Sequence, residues 1–440
     1  MPGKLGERGR RIAPAGLHHW SRDGHRFHLR VEEDGKGMLT VDASRIVHLN
    51  PVACDSAWMI LSGVPAERMP GRITSRYRVD RATASADLQS FRQAFDGILS
   101  SGAGEPISFV NLDVTEPFRT EVSAPYRMDL ALTYRCNVRC SHCYNRPDGP
   151  EGELDTGAWK GIIGRIRDIG IPHVIFTGGE ATLRDDLPEL IGHAESLGLV
   201  TGLLTNGVRL ADPGYAGLLA GSGLDHVQVT LESPDPAVHD GMTGADCFGK
   251  TLKGIGSCIR AGIYTLTNTT LTKANADSVA GLPEFLKGLG LAKFAVNAVI
   301  HSGKALEGDF ALDPTELEDV MIGLTGEADR LGMELVWYSP TRYCSFDPME
   351  FDLGPKRCTA AEYNLCVEPD GGVLPCQSWY EPVGSMLTDD WDSIWNHPLM
   401  IRVREREWVG PECRACTLLE LCGGGCPLEN RAGAACRDST

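Results

Sequence analysis

The run Leu132-Thr133-Tyr134-Arg135-Cys136-Asn137-Val138-Arg139-Cys140-Ser141-His142-Cys143-Tyr144-Asn145 decides how the rest of the chain is read. It follows a short apolar segment, Met128–Leu132, with the character of a strand. Three thiols lie within eight residues, at spacings x3 and x2. Thiolates that close can converge on one face of a loop and supply three of the four ligands of a cubic iron–sulfur cluster, leaving one iron open. A zinc knuckle lacking a ligand, or three unrelated thiols, would fit the same spacing.

Working outward from this loop, short apolar runs alternate with amphipathic stretches. Strands are expected at Met128–Leu132, His173–Phe176, Val200–Leu204, Val227–Leu231, Tyr264–Leu271, Lys293–Val299 and Glu334–Tyr338. Helices are expected between them at Leu154–Ile169, Asp185–Ser196, Gly214–Gly221, Phe248–Ala261, Gly281–Gly288 and Pro314–Leu331. Strand–helix alternation at this spacing predicts an α/β fold, a parallel sheet wound by right-handed crossovers over residues 126–340. Beyond it, residues 341–440 give way to turns, Gly and Cys, the composition of a unit folded around metal.

Composition bounds the function. The 440 residues carry 42 Lys+Arg against 59 Asp+Glu, a formal charge of −17, which argues against a nucleic-acid partner. Apolar content of 42% and charged content of 23% exclude wholesale disorder. No apolar run reaches the roughly 18 residues of a membrane span and no signal peptide precedes the chain, so a cytoplasmic protein that does not bind membranes is expected. Fifteen cysteines in such a chain point to metal or redox chemistry rather than disulfides. An even scatter would put about 0.8 of them between Cys413 and Cys436, where there are five.

Before the alternating region, residues 1–26 read as a basic tail. Phe27–Val31, the turn Asp34-Gly35-Lys36-Gly37 and Met38–Val41 read as a hairpin, with Arg45–Leu49 as a third strand. Asn50 and Pro51 then open a helix, and a second spans Thr83–Leu99 with Leu88, Phe91, Phe95 and Ile98 on one face. Residues 27–100 thus form a small α+β domain, joined to the barrel by a Gly-, Pro- and Ser-rich linker over 101–125.

The C-x3-C-x2-C loop, with His142 before its last cysteine, resembles the signature of the radical S-adenosylmethionine (SAM) enzymes. Thr177-Gly178-Gly179-Glu180 after the second strand is similar to that family's GGE-type motif, whose glycines would admit a ligand and whose Glu180 would accept from the cofactor's ammonium. The resemblance implies a partial (β/α)6 barrel of the TIM type. SAM contacts would come from His142, Gly178, Gly179, Glu180, Asn206, Thr230, Glu232, Asn268, Thr270 and Asn297. After His239-Asp240, where relatives often place an Arg, this chain has Gly241-Met242-Thr243-Gly244.

The spacing Cys358-x12-Gly371-x4-Cys376, then Cys413-x2-Cys416-x5-Cys422-x3-Cys426 and Cys436, resembles the SPASM extension, a holder of auxiliary iron–sulfur clusters. The resemblance implies a proximal cluster on Cys358, Cys376 and Cys426, with Cys344 as fourth ligand and Cys366 as its rival, and a distal one on Cys413, Cys416, Cys422 and Cys436. Cys366 reads equally as a buried strand thiol, and Cys54, Cys247 and Cys258 read as core thiols.

The N-terminal hairpin, the strand RIVHLN and the helix opening NPVACDSAWMILSG resemble the winged-helix-like peptide-chaperone domain of pyrroloquinoline-quinone biosynthesis, which binds a leader segment as an added strand. Together these resemblances imply an enzyme with three 4Fe–4S clusters and SAM. It would take electrons from a flavodoxin- or ferredoxin-type donor and oxidise a ribosomally made precursor peptide, forming a thioether, carbon–carbon or carbon–oxygen cross-link. A formylglycine-generating maturase and a non-catalytic metal-binding recruitment protein are the alternatives.

Overall fold

The computed structural model describes residues 11–42, 45–100, 122–146, 149 and 152–431. The chain forms two compact units, residues 1–123 with 167–172, and residues 124–166 with 173–440.

In the first unit β1 (Gly16–Arg22), β2 (His25–Val31), β3 (Gly37–Val41) and β4 (Arg45–Leu49) form one antiparallel sheet in chain order, with β1 and β4 at its edges. β1 lies inside the stretch read as a basic tail, and that reading is corrected. Asp23 and Gly24, at φ +53° and +82°, fold β1 back onto β2. Left-handed backbone at both central residues is what a two-residue type I′ hairpin requires. Asn50 accepts from the Ala53 amide at 2.9 Å and Pro51 opens the helix Pro51–Leu61, followed by Met69–Arg76 and Arg81–Ser100. The sequence reading had only the first and last of these three helices. Phe27, Leu29, Leu39, Val41, Met59, Ile73, Phe91 and Phe95 pack between sheet and helices. Asp55 is buried in the same unit and takes hydrogen bonds from Tyr77 Oη at 2.8 Å and the Ala13 amide at 2.9 Å beside the Arg76 guanidinium at 3.3 Å, which compensates its lost hydration. Most of the expected linker, residues 101–121, lies outside the described residues.

The second unit is built on nine strands: β5 (Arg127–Thr133), β6 (His173–Gly178), β7 (Val200–Thr205), β8 (His226–Thr230), β9 (Tyr264–Leu271), β10 (Lys293–Ala298), β11 (Glu334–Trp337), β12 (Asn364–Val367) and β13 (Val373–Leu374). Their order is β11-β10-β9-β8-β7-β6-β5-β12-β13, parallel from β11 through β12, with β13 antiparallel. β11 and β13 do not pair, so the barrel is partial. Each expected strand and helix of the alternating region is present with ends shifted by at most two residues, and an unforeseen helix covers Pro236–Thr243. The seven expected strands are β5 to β11, and the run is longer than expected because β12 and β13 add to it beside β5. β12 and β13 come from the cysteine-rich region, so residues 341–440 are not a separate body but complete the barrel's sheet. Among the described residues no helix is long and apolar enough to cross a membrane.

At the amino end of the sheet His173 Nε2 and His226 Nε2 lie 2.9 Å apart, one donating and the other accepting. Burial, reinforced by Arg127, lowers the His226 pKa to about 4. An unfolded histidine takes a proton near pH 6.5. Between those values the unfolded chain binds the extra proton, so this contribution is present above pH 6.5 and lost as pH falls towards 4. It is worth roughly 2–3 kcal/mol. Urea midpoints are expected to fall over that interval in the wild type, and His226→Gln to flatten the fall; parallel curves for both proteins would refute the assignment.

Candidate functional site

The C-terminal ends of β5 to β10 converge where ligands bind in β/α barrels, and the loop after β5 carries Cys136, Cys140 and Cys143. Five neighbours fix this loop through its backbone. The Gly179 amide donates to Thr133 O at 2.7 Å and the Glu180 amide to Arg135 O at 2.9 Å. Arg139 and Ser141 donate to Thr243 O and Met242 O at 2.8 and 3.0 Å, and Ala305 donates to Cys143 O at 3.3 Å. The Met242-Thr243 step therefore works as a backbone rail for the cysteine loop.

The glycines of the Gly178-Gly179 pair owe their identity to this packing. Gly178 is at φ +127°, and a Cβ there would run into the Thr133 carbonyl; one on Gly179 would lie 2.5 Å from Tyr134 O. The close approach these glycines allow is to the cysteine loop itself. Asn145 Nδ2 adds a 2.7 Å bond to Gly178 O.

The three thiols sit on one loop, near enough to feel one another's charge. Burial raises the pKa of each, and among the further causes Cys136 is raised by Cys143, and Cys140 by Cys143 and Cys136. Asn206 Nδ2 stands 3.9 Å from Cys136 Sγ and 2.7 Å from Asn137 Oδ1. Neighbouring thiols on a loop with raised pKa resist forming thiolates unless a bound cation compensates, so this donor set fits a metal cluster.

Of the residues read as SAM contacts, Gly178, Gly179, Asn206, Thr230, Asn268 and Thr270 sit half-buried at the strand ends. Asn297 is 8% exposed; its Oδ1 accepts from Asn268 Nδ2 at 2.7 Å, which leaves Asn268 Oδ1 buried without a partner. His142 donates from Nε2 to Glu232 Oε1 at 3.0 Å, while its Nδ1 is likewise buried and unpartnered. Two orphaned buried polar atoms, one on the cysteine loop and one on β9, fit a polar cofactor that would bind at these strand ends.

Two carboxylates behave differently from the expectation. Glu180 and Glu232 are each 1% exposed, and their oxygens are engaged within the fold. Glu180 Oε1 accepts from Thr182 N, Thr182 Oγ1 and Thr205 Oγ1 at 3.1, 2.7 and 2.8 Å, and Oε2 accepts from the Asn206 amide at 2.8 Å. Glu232 accepts from His142 and, at 2.8 Å, from the Thr270 amide. Both brace the strand ends from beneath. His239, unnoticed in the sequence as a functional residue, accepts the Glu232 amide at Nδ1 (3.2 Å), and burial keeps its pKa low, so the neutral ring fixes that turn.

A second thiol group lies in the cysteine-rich region. Cys358, Cys376 and Cys426 are each pushed up to about 12, first by burial; Cys376 raises Cys358, Cys426 raises Cys376 and Cys358 raises Cys426. Each of these thiols thus lies within electrostatic reach of another, and the set also fits a cluster. Cys366 is 1% exposed on β12 among Ala131 and Leu374, as the core reading had it. Cys54, Cys247 and Cys258 are buried too. Cys344 is exposed at the rim of a cavity of about 220 Å³. Cys422 accepts from the Tyr343 amide at 3.4 Å; Cys413 lies in the short helix Pro411–Ala415 and Cys416 caps its end. Cys436 lies outside the described residues. The two thiol groups are joined by Tyr380, four residues after Cys376, whose hydroxyl bonds Tyr144 O and Asn145 Oδ1, both at 3.2 Å.

A partial parallel barrel with three neighbouring thiols at its carboxyl edge, and a second thiol set in the region completing its sheet, defines an iron–sulfur enzyme. The family model for the radical SAM superfamily matches residues 130–286, and that for SPASM, an iron-sulfur cluster-binding domain, matches residues 358–417. The PqqA peptide cyclase of Streptomyces rochei is 31% identical over 307 residues, which are 66% of this chain and 81% of that protein. That of Xanthomonas campestris pv. campestris (strain 8004) is 29% identical over 306 residues, 66% of this chain and 79% of the relative. The chain belongs to the radical SAM superfamily and is a radical SAM enzyme with a SPASM domain. Its fold is similar to that of Streptococcus suis SuiB, crystallised with the precursor peptide SuiA, at a TM-score of 0.70, 17% identity, and coverage of 96% of this chain and 99% of the other. Native anSMEcpe with bound AdoMet superposes at 0.53 with 18% identity, over 69% of this chain and 89% of that one.

Proposed function

We propose that this enzyme captures the leader of a ribosomally made precursor peptide on its N-terminal sheet and oxidatively cross-links side chains of the core segment. The grouping of Cys136, Cys140 and Cys143 at the carboxyl edge of the barrel is the observation that carries this reading. Those three thiols would hold a 4Fe–4S cluster, and Gly178, Gly179, Asn206, Thr230, Asn268, Thr270 and Asn297 would line the SAM site. The cluster and SAM together supply a 5′-deoxyadenosyl radical, which takes hydrogen from an unactivated carbon. The chain's own contribution is to hold the thiol loop rigid, orient the cofactor and exclude water and stray hydrogen donors. Cys358, Cys376 and Cys426 would hold a proximal auxiliary cluster, with Cys344 its nearest candidate fourth ligand, and Cys413, Cys416, Cys422 and Cys436 a distal one, giving three clusters. A small flavodoxin- or ferredoxin-type donor in the reducing cytoplasm would supply electrons.

Similarity to PqqA peptide cyclases supports a peptide substrate, and the SuiB-like fold over 96% of the chain supports a leader-binding domain. The match to anSMEcpe spans 69% of the chain, which favours this reading over a formylglycine-generating maturase. The test is anaerobic reconstitution with the short peptide encoded beside the gene. The expected product lacks one hydrogen pair per cross-link, with 5′-deoxyadenosine formed in step; deoxyadenosine without a changed peptide mass would overturn the substrate assignment.

The leader's place follows from the sheet. β4 is an edge strand, whose unpaired backbone groups can accept another strand. Proline removes one backbone donor and stiffens the edge. Val47→Pro and His48→Pro present it in alternate directions, so at least one is expected to weaken precursor binding tenfold, about 1.4 kcal/mol by titration calorimetry, with iron content unchanged. Wild-type affinity in both would remove β4 as the docking edge.

A further inference from the structure

The linker between the two auxiliary thiol sets is Gly423-Gly424-Gly425, which runs from Cys422 to Cys426 with φ of +66°, +77° and +76°. A side chain at Gly423 has no room: its Cβ would lie 2.9 Å from Arg357 Cβ and 3.0 Å from an Arg406 guanidinium nitrogen. Arg406 is therefore laid against the bridge between the sets, with Cys422 on one side and the Arg357-Cys358 step on the other. Its backbone is left-handed at φ +55°, a conformation a non-glycine residue keeps only where its surroundings over-determine it. Its side chain is 10% exposed. Glu362 is gripped by Arg357 through two bonds of 2.6 and 2.7 Å and stands 3.6 Å from Arg406. Two guanidinium groups thus share this one carboxylate beside Cys358.

We propose that Arg406 is a positioning residue that sets the reduction potential of the cluster held by Cys358, Cys376 and Cys426, with Glu362 biasing it in the opposite direction. The inference rests on the reading that those thiols hold a cluster. Reduction adds one negative charge to such a centre. A buried cation stabilises the reduced state, and in a poorly solvated site little screens the effect. Net charge and hydrogen bonding around the sulfurs are the levers by which a protein tunes these potentials.

The experiment is an EPR-monitored redox titration of reconstituted holoenzyme, comparing wild type with Arg406→Gln, Arg406→Lys and Glu362→Gln, with iron content measured in parallel. Arg406→Gln is expected to lower the reduced-to-oxidised ratio of the proximal cluster about tenfold at a given poise, about 59 mV for a one-electron couple. Arg406→Lys should restore most of it, and Glu362→Gln should move the potential upwards. Should Arg406→Gln fail to fold, the direction of the Glu362→Gln shift decides. Unchanged potentials, or shifts of one sign in both charge-neutralised variants, overturn the inference while leaving the cluster assignment intact. A Cys376→Ala holoenzyme that keeps every signal of the wild type overturns the cluster assignment, and the inference with it.

Discussion

Cys136→Ala protein purified without oxygen is expected to form 5′-deoxyadenosine at least about 10³-fold more slowly than wild type, ~4 kcal/mol in the barrier. Cys376→Ala should stay within about tenfold of wild type in the same assay yet make no cross-linked peptide. The separation follows from how each thiol group is held. The Cys136–Cys143 loop takes its shape from backbone bonds to Gly179, Glu180, Met242, Thr243 and Ala305, all within the barrel. None of those bonds involves the Cys358–Cys376–Cys426 set, so losing Cys376 leaves the first thiol set in place. Tyr380 does link the two regions through Tyr144 O and Asn145 Oδ1, which is why some loss of rate is expected in Cys376→Ala. Wild-type cleavage by Cys136→Ala, or complete loss in Cys376→Ala with its first cluster intact by EPR, would refute this division of labour.

The elements of the barrel are legible because each strand is a short apolar run and each helix carries one apolar face, signals contained within about a dozen residues. The cysteine sets are legible because ligand spacing is local. β1 is not: Gly16–Arg22 is polar and basic with a half-exposed face, and its one clear signal is the Asp23-Gly24 dipeptide, a hairpin turn easily passed over beside so many charges. The closure of the sheet by β12 and β13 is equally hidden, because Asn364–Val367 pairs with Arg127–Leu130, far away in sequence. The same distance hides the work of the carboxylates. Glu180 and Glu232 look like ligand-facing residues at strand ends, and only the fold shows that Thr205, Asn206, His142 and Thr270 claim their oxygens. Residue type and strand-end position suggest chemistry; which direction a carboxylate faces depends on neighbours from other strands.

The role of Glu180 predicts the second large effect. Burial raises its pKa, and the bonds from Thr182, Thr205 and Asn206 oppose that rise; four donors surround its two oxygens. Glu180→Ala would strand two backbone amides and two hydroxyls in a buried pocket. The hydroxyls can rotate to other acceptors, but the amides of Thr182 and Asn206 cannot. At about 1–3 kcal/mol for each unsatisfied donor, the expected loss is ~3–5 kcal/mol of unfolding free energy. Glu180→Gln is more telling. If its single carbonyl oxygen serves Thr182 and Thr205, the amide nitrogen meets the Asn206 N–H donor to donor, and the turn that carries Asn206 to Cys136 should shift. Urea unfolding of Glu180→Gln is therefore expected to lose ~1–3 kcal/mol, with SAM affinity falling as a consequence. Were Glu180 instead a direct partner of the cofactor's ammonium, Glu180→Gln would weaken SAM binding and leave the urea midpoint of the cofactor-free protein where it was, and that result would return the residue to the cofactor site.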